Sequence, residues 1–188
     1  MRLAYVTVVA RPGPGPVERA RRVATRCGVP FAPRASRRPE HGIAYVVGNR
    51  RDELRGGEAT LTVHAGLLAQ RQYLGRGHPL IRAVAPAPVA SVWDATCGLA
   101  EDALHLATVL DARIVASEAS PAVLSLLEEG LPRLARARAT RAAGRIELRH
   151  GLAEELLAAA PDAVDVVYLD PMFPAPRRAA PGFELLRS

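Results

Sequence analysis

Short apolar strands alternate with helices from residue 89 onward, and this alternation constrains the fold more than any other feature of the sequence. Strand–helix–strand units at this spacing are typical of a parallel sheet whose strands are joined by right-handed crossovers. We therefore predict an α/β fold, an open, Rossmann-like parallel sheet. The predicted strands cover residues 89–93, 113–117, 145–149 and 165–170, and the predicted helices cover 103–110, 121–131 and 153–159.

Residues 1–63 predict a small α/β module that precedes this sheet. Its pattern indicates strands at residues 3–9, 43–47 and 59–63 and a helix at 17–27 that Gly28 would cap. Pro86 and Pro88 mark a boundary after the next segment. The predicted organisation is a basic α/β module at 1–63, a linker at 64–88 and the Rossmann-like domain at 89–188.

The linker has two interpretations. Arg71 and Tyr73 precede the run Gly75-Arg76-Gly77, and Arg and Tyr on a short helix followed by a Gly-Arg-Gly loop would contact RNA backbone and bases. Alternatively, the segment packs over the following domain. The sequence leaves both interpretations open.

The charge of the chain is divided unevenly. Residues 1–90 contain 15 Arg and 5 acidic residues, a net charge of +10, and residues 91–188 contain 10 Arg and 14 acidic residues, a net of −4, which together give +6. A basic front half is the expected signature of a nucleic-acid partner. The alternative is a solvated surface in an Arg-biased proteome, since all 25 basic residues are Arg.

Several classes of protein are disfavoured by composition. No stretch approaches the roughly 20 apolar residues that a membrane span needs, so we expect no membrane association. Cys27 and Cys97 have no second Cys or His at ligand spacing, which argues against a zinc site or a disulfide scaffold. We expect no metal and a reducing cytoplasm as the compartment.

Acidic residues follow three of the predicted strands. Asp94, Glu118 and Asp170 each stand at a strand's carboxyl end, where ligands bind in open α/β sheets. The first loop contains Gly98 but no Gly-x-Gly-x-x-Gly, and Glu101-Asp102 begin the next helix where a pyrophosphate would need free amides. Carboxylates suit a cationic cofactor without phosphate, and S-adenosylmethionine fits. Glu118 has the spacing of a ribose-binding acid.

The fourth strand runs into the turn Asp170-Pro171-Met172-Phe173-Pro174. Asp170 and the Pro171 carbonyl would accept hydrogen bonds from an exocyclic amino group, and Phe173 would stack on the ring that carries it. We assign these three residues to catalysis, because transfer from a sulfonium needs mainly positioning. The alternative is an ordinary turn that ends a strand.

Residues 94–103 and 167–174 resemble the small-subunit ribosomal RNA guanine-N2 methyltransferase family known as RsmJ. The resemblance implies a class I methyltransferase fold, S-adenosylmethionine as donor, and a guanine amine in small-subunit rRNA as acceptor. It places cofactor contacts at Glu101-Asp102, Glu118-Ala119, Leu152-Ala153 and Asp170, beside Asp94 and Gly98 from the strand-end argument.

A complete class I domain has three more strands than the four predicted here. We therefore expect an incomplete sheet with an open edge, which leaves room for strand pairing in a homo-oligomer. Two other functions stay open: a non-catalytic RNA-binding or assembly protein that retains the cofactor-binding fold, and a methyltransferase of a different amine. His105 and His150 are expected to be structural.

Overall fold

The computed structural model describes residues 6–33, 42–66, 68, 71, 73–137, 140–159 and 163–171. These residues form two compact units. The first contains the described residues of 1–63 together with 120–130, and the second contains those of 64–119 and 131–171. The predicted boundaries at residues 63 and 88 remain predictions.

The first unit is a four-stranded sheet with the order β1-β2-β3-β4. β1 and β2 are parallel, and the other two pairs are antiparallel. Helix α1 lies between β1 and β2 in sequence and ends at Gly28, whose left-handed φ of 65° is the predicted cap. The elements are β1 (Val6–Ala10), α1 (Pro14–Cys27), β2 (Ile43–Val47), β3 (Glu53–Gly56) and β4 (Ala59–Leu61).

Strand β3 is absent from the sequence-based prediction because its charged residues break the apolar alternation of a strand. Glu53 is nevertheless buried, since Arg51 Nε donates to it at 2.9 Å and Arg55 Nε at 2.8 Å. Asp52 beside it is also buried and accepts from Tyr45 Oη at 3.1 Å and Arg19 Nη2 at 3.0 Å. Paired and hydrogen-bonded charges make this burial tolerable.

The second unit is a parallel sheet of four strands in the order β7-β6-β5-β8, which confirms the predicted Rossmann-like fold. The strands are β5 (Ser91–Asp94), β6 (Arg113–Glu118), β7 (Ile146–His150) and β8 (Val166–Tyr168). The helices are α2 (Pro79–Val84), α3 (Glu101–Val109), α4 (Pro121–Arg136) and α5 (Ala153–Ala158), and the first part of α4 is counted with the first unit.

The strand order reverses at β5. The chain adds β6 and β7 on one side of β5 and then returns to add β8 on the other side. In doubly wound sheets such a reversal opens a crevice at the carboxyl ends of the strands. The crevice expected here lies between the ends of β5 and β8.

Strand β8 is less buried than its apolar sequence predicts. Within the described residues it pairs with β5 alone, and the side chains of Val167 and Leu169 are 41% and 51% exposed.

Among the described helices, none has the length and apolar character needed to cross a bilayer.

Candidate active site

Four parallel strands end at one edge of the second unit and bring distant acids together. Asp94 is the last residue of β5, and Glu118 is the last residue of the adjacent β6. Asp170 follows β8 by two residues, on the other side of β5. The three acids named from sequence therefore follow neighbouring strands at a single edge, as their spacing predicted.

The turn after β5 lies across the ends of its neighbours. Ala95 N donates to Tyr168 O at 2.9 Å, and Cys97 N donates to Ser117 O at 3.0 Å. The turn then reverses through Gly98, with φ of 51°, and Ala100, with φ of 58°, before α3 begins at Glu101. Ala100 pays on the order of 1 kcal/mol for this left-handed backbone.

Thr96 connects two of the acids, a role that the sequence did not reveal. Its backbone N–H donates to Asp94 Oδ1 at 3.3 Å, and its hydroxyl accepts from the backbone N–H of Asp170 at 2.8 Å. The second bond holds the backbone at Asp170, the first residue of the turn predicted at 170–174 that we call the acceptor turn, and the Asp170 side chain is exposed. Pro171 is exposed as well, whereas Phe173 lies outside the described residues.

Asp94 is almost fully buried at the centre of this edge. Burial, helped by the nearby carboxylates of Asp102, Asp170 and Glu118 and opposed by the hydrogen bond from Thr96, raises the pKa of its carboxyl group to about 7. A cationic ligand would stabilise the ionised form of this carboxyl group, which burial disfavours.

Asp102 is occupied on both carboxylate oxygens. Tyr168 Oη donates to Oδ2 at 2.8 Å, and Arg71 Nη1 forms an ion pair with Oδ1. Neither Arg71 nor Tyr168 was assigned to the site from sequence, since 31 and 66 residues separate them from Asp102. Asp102 thus anchors other side chains, and any ligand contact would share it with them. Burial raises the pKa of neighbouring Glu101.

The ends of β6 and β7 meet through one backbone hydrogen bond and one side-chain contact. Gly151 N donates to Glu118 O at 3.2 Å, and His150 Nε2 lies 3.3 Å from Ala119 O. Leu152 precedes α5 without a side-chain cap, and Ala153 packs against the buried cluster of Trp93, Ala95 and Val115. The positions implied by the resemblance therefore lie beside Glu118.

His105 is completely buried in α3, and neither of its ring nitrogens has a hydrogen-bond partner among the residues that the structure describes. Its ring meets the ring of His78 edge-on, with centroids 4.5 Å apart. Burial lowers the pKa of His105 to about 4, helped by His78 and Arg71 and opposed by Asp102. This environment suits a neutral structural residue.

We expect His105 to make the protein acid-sensitive. Its folded-state pKa lies below the unfolded value of 6.5, so the unfolded chain binds more protons between these values. The stability it contributes is complete above pH 6.5 and is lost as the pH falls towards 4, by about 3 kcal/mol in total. Asp94 titrates with the opposite sign in this range.

The difference between wild type and His105→Phe isolates the histidine from Asp94. Urea unfolding between pH 4 and 7.5 measures the free energy of unfolding of both proteins. As the pH is lowered, the value for the wild type should fall relative to the value for His105→Phe. Equal losses would contradict the assignment of a neutral buried His105.

Within the described residues no group of three or more His, Cys, Asp or Glu side chains could hold a metal ion. The edge instead combines the buried carboxyl of Asp94, neighbouring acids and the exposed residues Asp170 and Pro171. This donor set fits a ligand with cationic groups and hydroxyls, because carboxylates attract positive charge and accept hydrogen bonds from hydroxyls. S-adenosylmethionine, with its sulfonium, amino group and ribose, meets these conditions.

Comparison with known proteins gives concordant results. A sequence model described as a putative SAM-dependent methyltransferase matches residues 46–182. The chain is similar to ribosomal RNA small subunit methyltransferase J from Aeromonas hydrophila, with 38% identity covering 69% of this chain and 54% of the relative. It is also similar to the protein of that name from Chromobacterium violaceum, with 34% identity covering 86% and 66%.

A solved structure gives the same result. The crystal structure of a SAM-dependent methyltransferase from Neisseria gonorrhoeae superposes with a TM-score of 0.68 at 30% identity, covering 90% of this chain and 71% of the other. The chain spans about half to two thirds of the length of the curated relatives it matches.

Proposed function

Because this chain belongs to the putative SAM-dependent methyltransferase family, we propose that it methylates an exocyclic amine of a nucleobase, with guanine N2 of small-subunit rRNA as the target. The observation that carries the proposal is the edge where Asp94, Glu118 and Asp170 follow adjacent parallel strands. Support for rRNA comes from the relatives, which are named small-subunit rRNA methyltransferases.

S-adenosylmethionine supplies an electrophilic methyl group on a sulfonium. In this proposal Asp94 offers its buried carboxylate to the cationic part, while Glu118 accepts hydrogen bonds from ribose hydroxyls. The remaining contacts fall on positions that lie along the same edge: Gly98, Glu101, Asp102, Ala119, Leu152, Ala153 and Asp170.

The acceptor turn positions the amine. The Asp170 carboxylate and the Pro171 carbonyl accept its N–H bonds, which directs the nitrogen lone pair towards the donor. Thr96 Oγ1 fixes the start of this turn through the 2.8 Å bond from Asp170 N. Phe173 would stack on the base. His105 takes no part, because its ring is buried.

The partner of this reaction is RNA, and the setting is the reducing cytoplasm. Residues 1–90 support RNA as the partner, because they contain 15 Arg and 5 acidic residues. Burial raises the pKa of both thiols, of Cys27 to about 11 and of Cys97 well above its usual range, which suits unreactive, reduced cysteines.

The decisive experiment incubates the purified chain with S-adenosylmethionine and unmethylated small-subunit rRNA, followed by mass analysis of the nucleosides. We expect guanosine methylated on N2, and far less of this product in the same time from Asp170→Ala. Methylated adenosine would redirect the proposal to another amine. RNA binding without any product from a chain that binds the cofactor would favour a non-catalytic RNA-binding protein.

A further inference from the structure

The largest exposed aromatic surface among the described residues is Tyr73, whose side chain is 86% exposed. Leu74 beside it is 44% exposed, and Arg76 is exposed two residues later. We call Arg71 together with residues 73–78 the Tyr73 turn. Exposed apolar side chains next to cationic ones mark an interaction surface more often than isolated apolar residues do.

The Tyr73 turn is held firmly at both ends. Arg71 forms its ion pair with Asp102, and His78 packs edge-on against buried His105. His78 Nδ1 also accepts from Leu80 N at 3.2 Å, which caps α2. Backbone bonds from Leu74 N to Arg71 O, at 3.2 Å, and from Gly77 N to Leu74 O, at 2.8 Å, close the turn itself. A ligand that stacks on Tyr73 would therefore order little of the backbone on binding.

The charge around the turn selects the partner. Residues 64–90 contain three Arg and no Asp or Glu. Arg76 and Arg82 are exposed. A base stacks on an exposed aromatic ring while arginines contact the phosphates beside it, and this combination is typical of single-strand recognition. A purely apolar protein partner would not need these cations.

The Tyr73 turn and the strand that precedes the acceptor turn are both bonded to Asp102. Asp102 receives Arg71, at the base of the turn, on one oxygen and Tyr168 on the other. Tyr168 is two residues before Asp170. RNA bound at Tyr73 would therefore contact a segment that is joined to Asp102. Strand β8, which leads into the acceptor turn, is joined to the same carboxylate through Tyr168.

We infer that Tyr73 stacks on an unpaired base that flanks the target nucleotide, and that Arg76 contacts a neighbouring phosphate. This inference rests on the proposed function and adds to it the way in which the substrate strand is held. It selects single-stranded or looped RNA over a continuous duplex, because a paired base has no free face for the ring.

The test measures binding of a short fluorescent single-stranded RNA by anisotropy. Tyr73→Ala should weaken binding roughly 5- to 100-fold, whereas Tyr73→Phe, which keeps the ring, should stay within about twofold of wild type. Arg76→Gln should lower the slope of log affinity against log salt by about 1. Calorimetric titration of S-adenosylmethionine, unchanged in each variant, serves as the control for folding.

The outcomes separate this inference from the proposed function. If wild type and Tyr73→Ala bind RNA equally, the inference is wrong, and methyl transfer can still be observed. If only Tyr73→Ala loses RNA binding while no protein transfers a methyl group, the stacking site stands and the proposed reaction fails. A change in sedimentation coefficient without a change in RNA binding would make the turn a protein interface and overturn the inference.

Discussion

Replacement of Asp170 by Ala is expected to reduce the rate of methyl transfer by about 10²- to 10³-fold, comparable to the loss of one well-placed polar group in other active sites. The carboxylate is exposed at the carboxyl end of β8, where it would accept a hydrogen bond from the target amine. Its loss removes the group that orients the nitrogen lone pair and leaves the Pro171 carbonyl as an acceptor.

The backbone of the acceptor turn should survive this change. Thr96 Oγ1 accepts from the backbone N–H of Asp170, and that bond does not require the carboxylate. Asp170→Asn offers a matched variant, because its carbonyl oxygen retains one acceptor, and it should lose less activity than Asp170→Ala. Single-turnover transfer of a labelled methyl group to rRNA measures the rate. Unchanged turnover in Asp170→Ala would remove Asp170 from catalysis.

The second large effect is expected from Asp94→Asn, which should weaken binding of S-adenosylmethionine by about 10- to 150-fold. A hydrogen bond to a charged group contributes about 1.5–3 kcal/mol, and the substitution removes the charge while conserving shape. The same change should raise the free energy of unfolding at pH 8 by about 4 kcal/mol, because the ionised carboxylate is buried at a cost.

The two effects of Asp94→Asn have opposite signs, which distinguishes a binding role from a structural one. The folded-state pKa of about 7 lies above the unfolded value of 3.8, so ionisation of Asp94 destabilises the free protein as the pH rises through this range. A cofactor that favours the ionised form reverses this preference. A variant that both unfolds more easily and binds poorly would show that Asp94 is structural.

The pH dependence of binding follows from the same pKa. Affinity of the wild type for S-adenosylmethionine should be about tenfold weaker at pH 6 than at pH 8, because a proton must leave Asp94 below its pKa of about 7. Asp94→Asn should lose this dependence. Asp111→Asn is the control, because it removes a carboxylate that is fully exposed. Asp111 Oδ1 lies 3.8 Å from Arg145 Nη1, and an exposed ion pair of this kind contributes little to stability. A pH profile shared by wild type and Asp94→Asn would assign the titration to another group.

The order and type of the elements in the second unit were predictable from local patterns. Strand β6, predicted at 113–117, spans Arg113–Glu118, and strand β7, predicted at 145–149, spans Ile146–His150. Side-chain periodicity and turn residues depend on neighbours in sequence, so a single chain carries this information. The resemblance to the methyltransferase family, carried by residues 94–103 and 167–174, is confirmed by the family match over residues 46–182.

Strand β3 shows where local pattern fails. Its Glu and Arg residues predict a solvated segment, and Glu53 is buried only because two arginines reach it within the folded sheet. Pairing between charged side chains does not produce the alternation of apolar and polar residues by which a strand is recognised in a sequence.

What the sequence determined by itself is the alternation of strands and helices, the acids at the strand ends, and the Asp-Pro turn, because each depends on a few consecutive residues. The tertiary structure decided which groups meet: Arg71 and Tyr168 on Asp102, and Thr96 between Asp94 and Asp170. It also decided the state of Asp94 and His105, since the pKa of each depends on burial by residues from other elements. Burial and contacts between distant residues arise only when the chain is folded, and no local pattern encodes them.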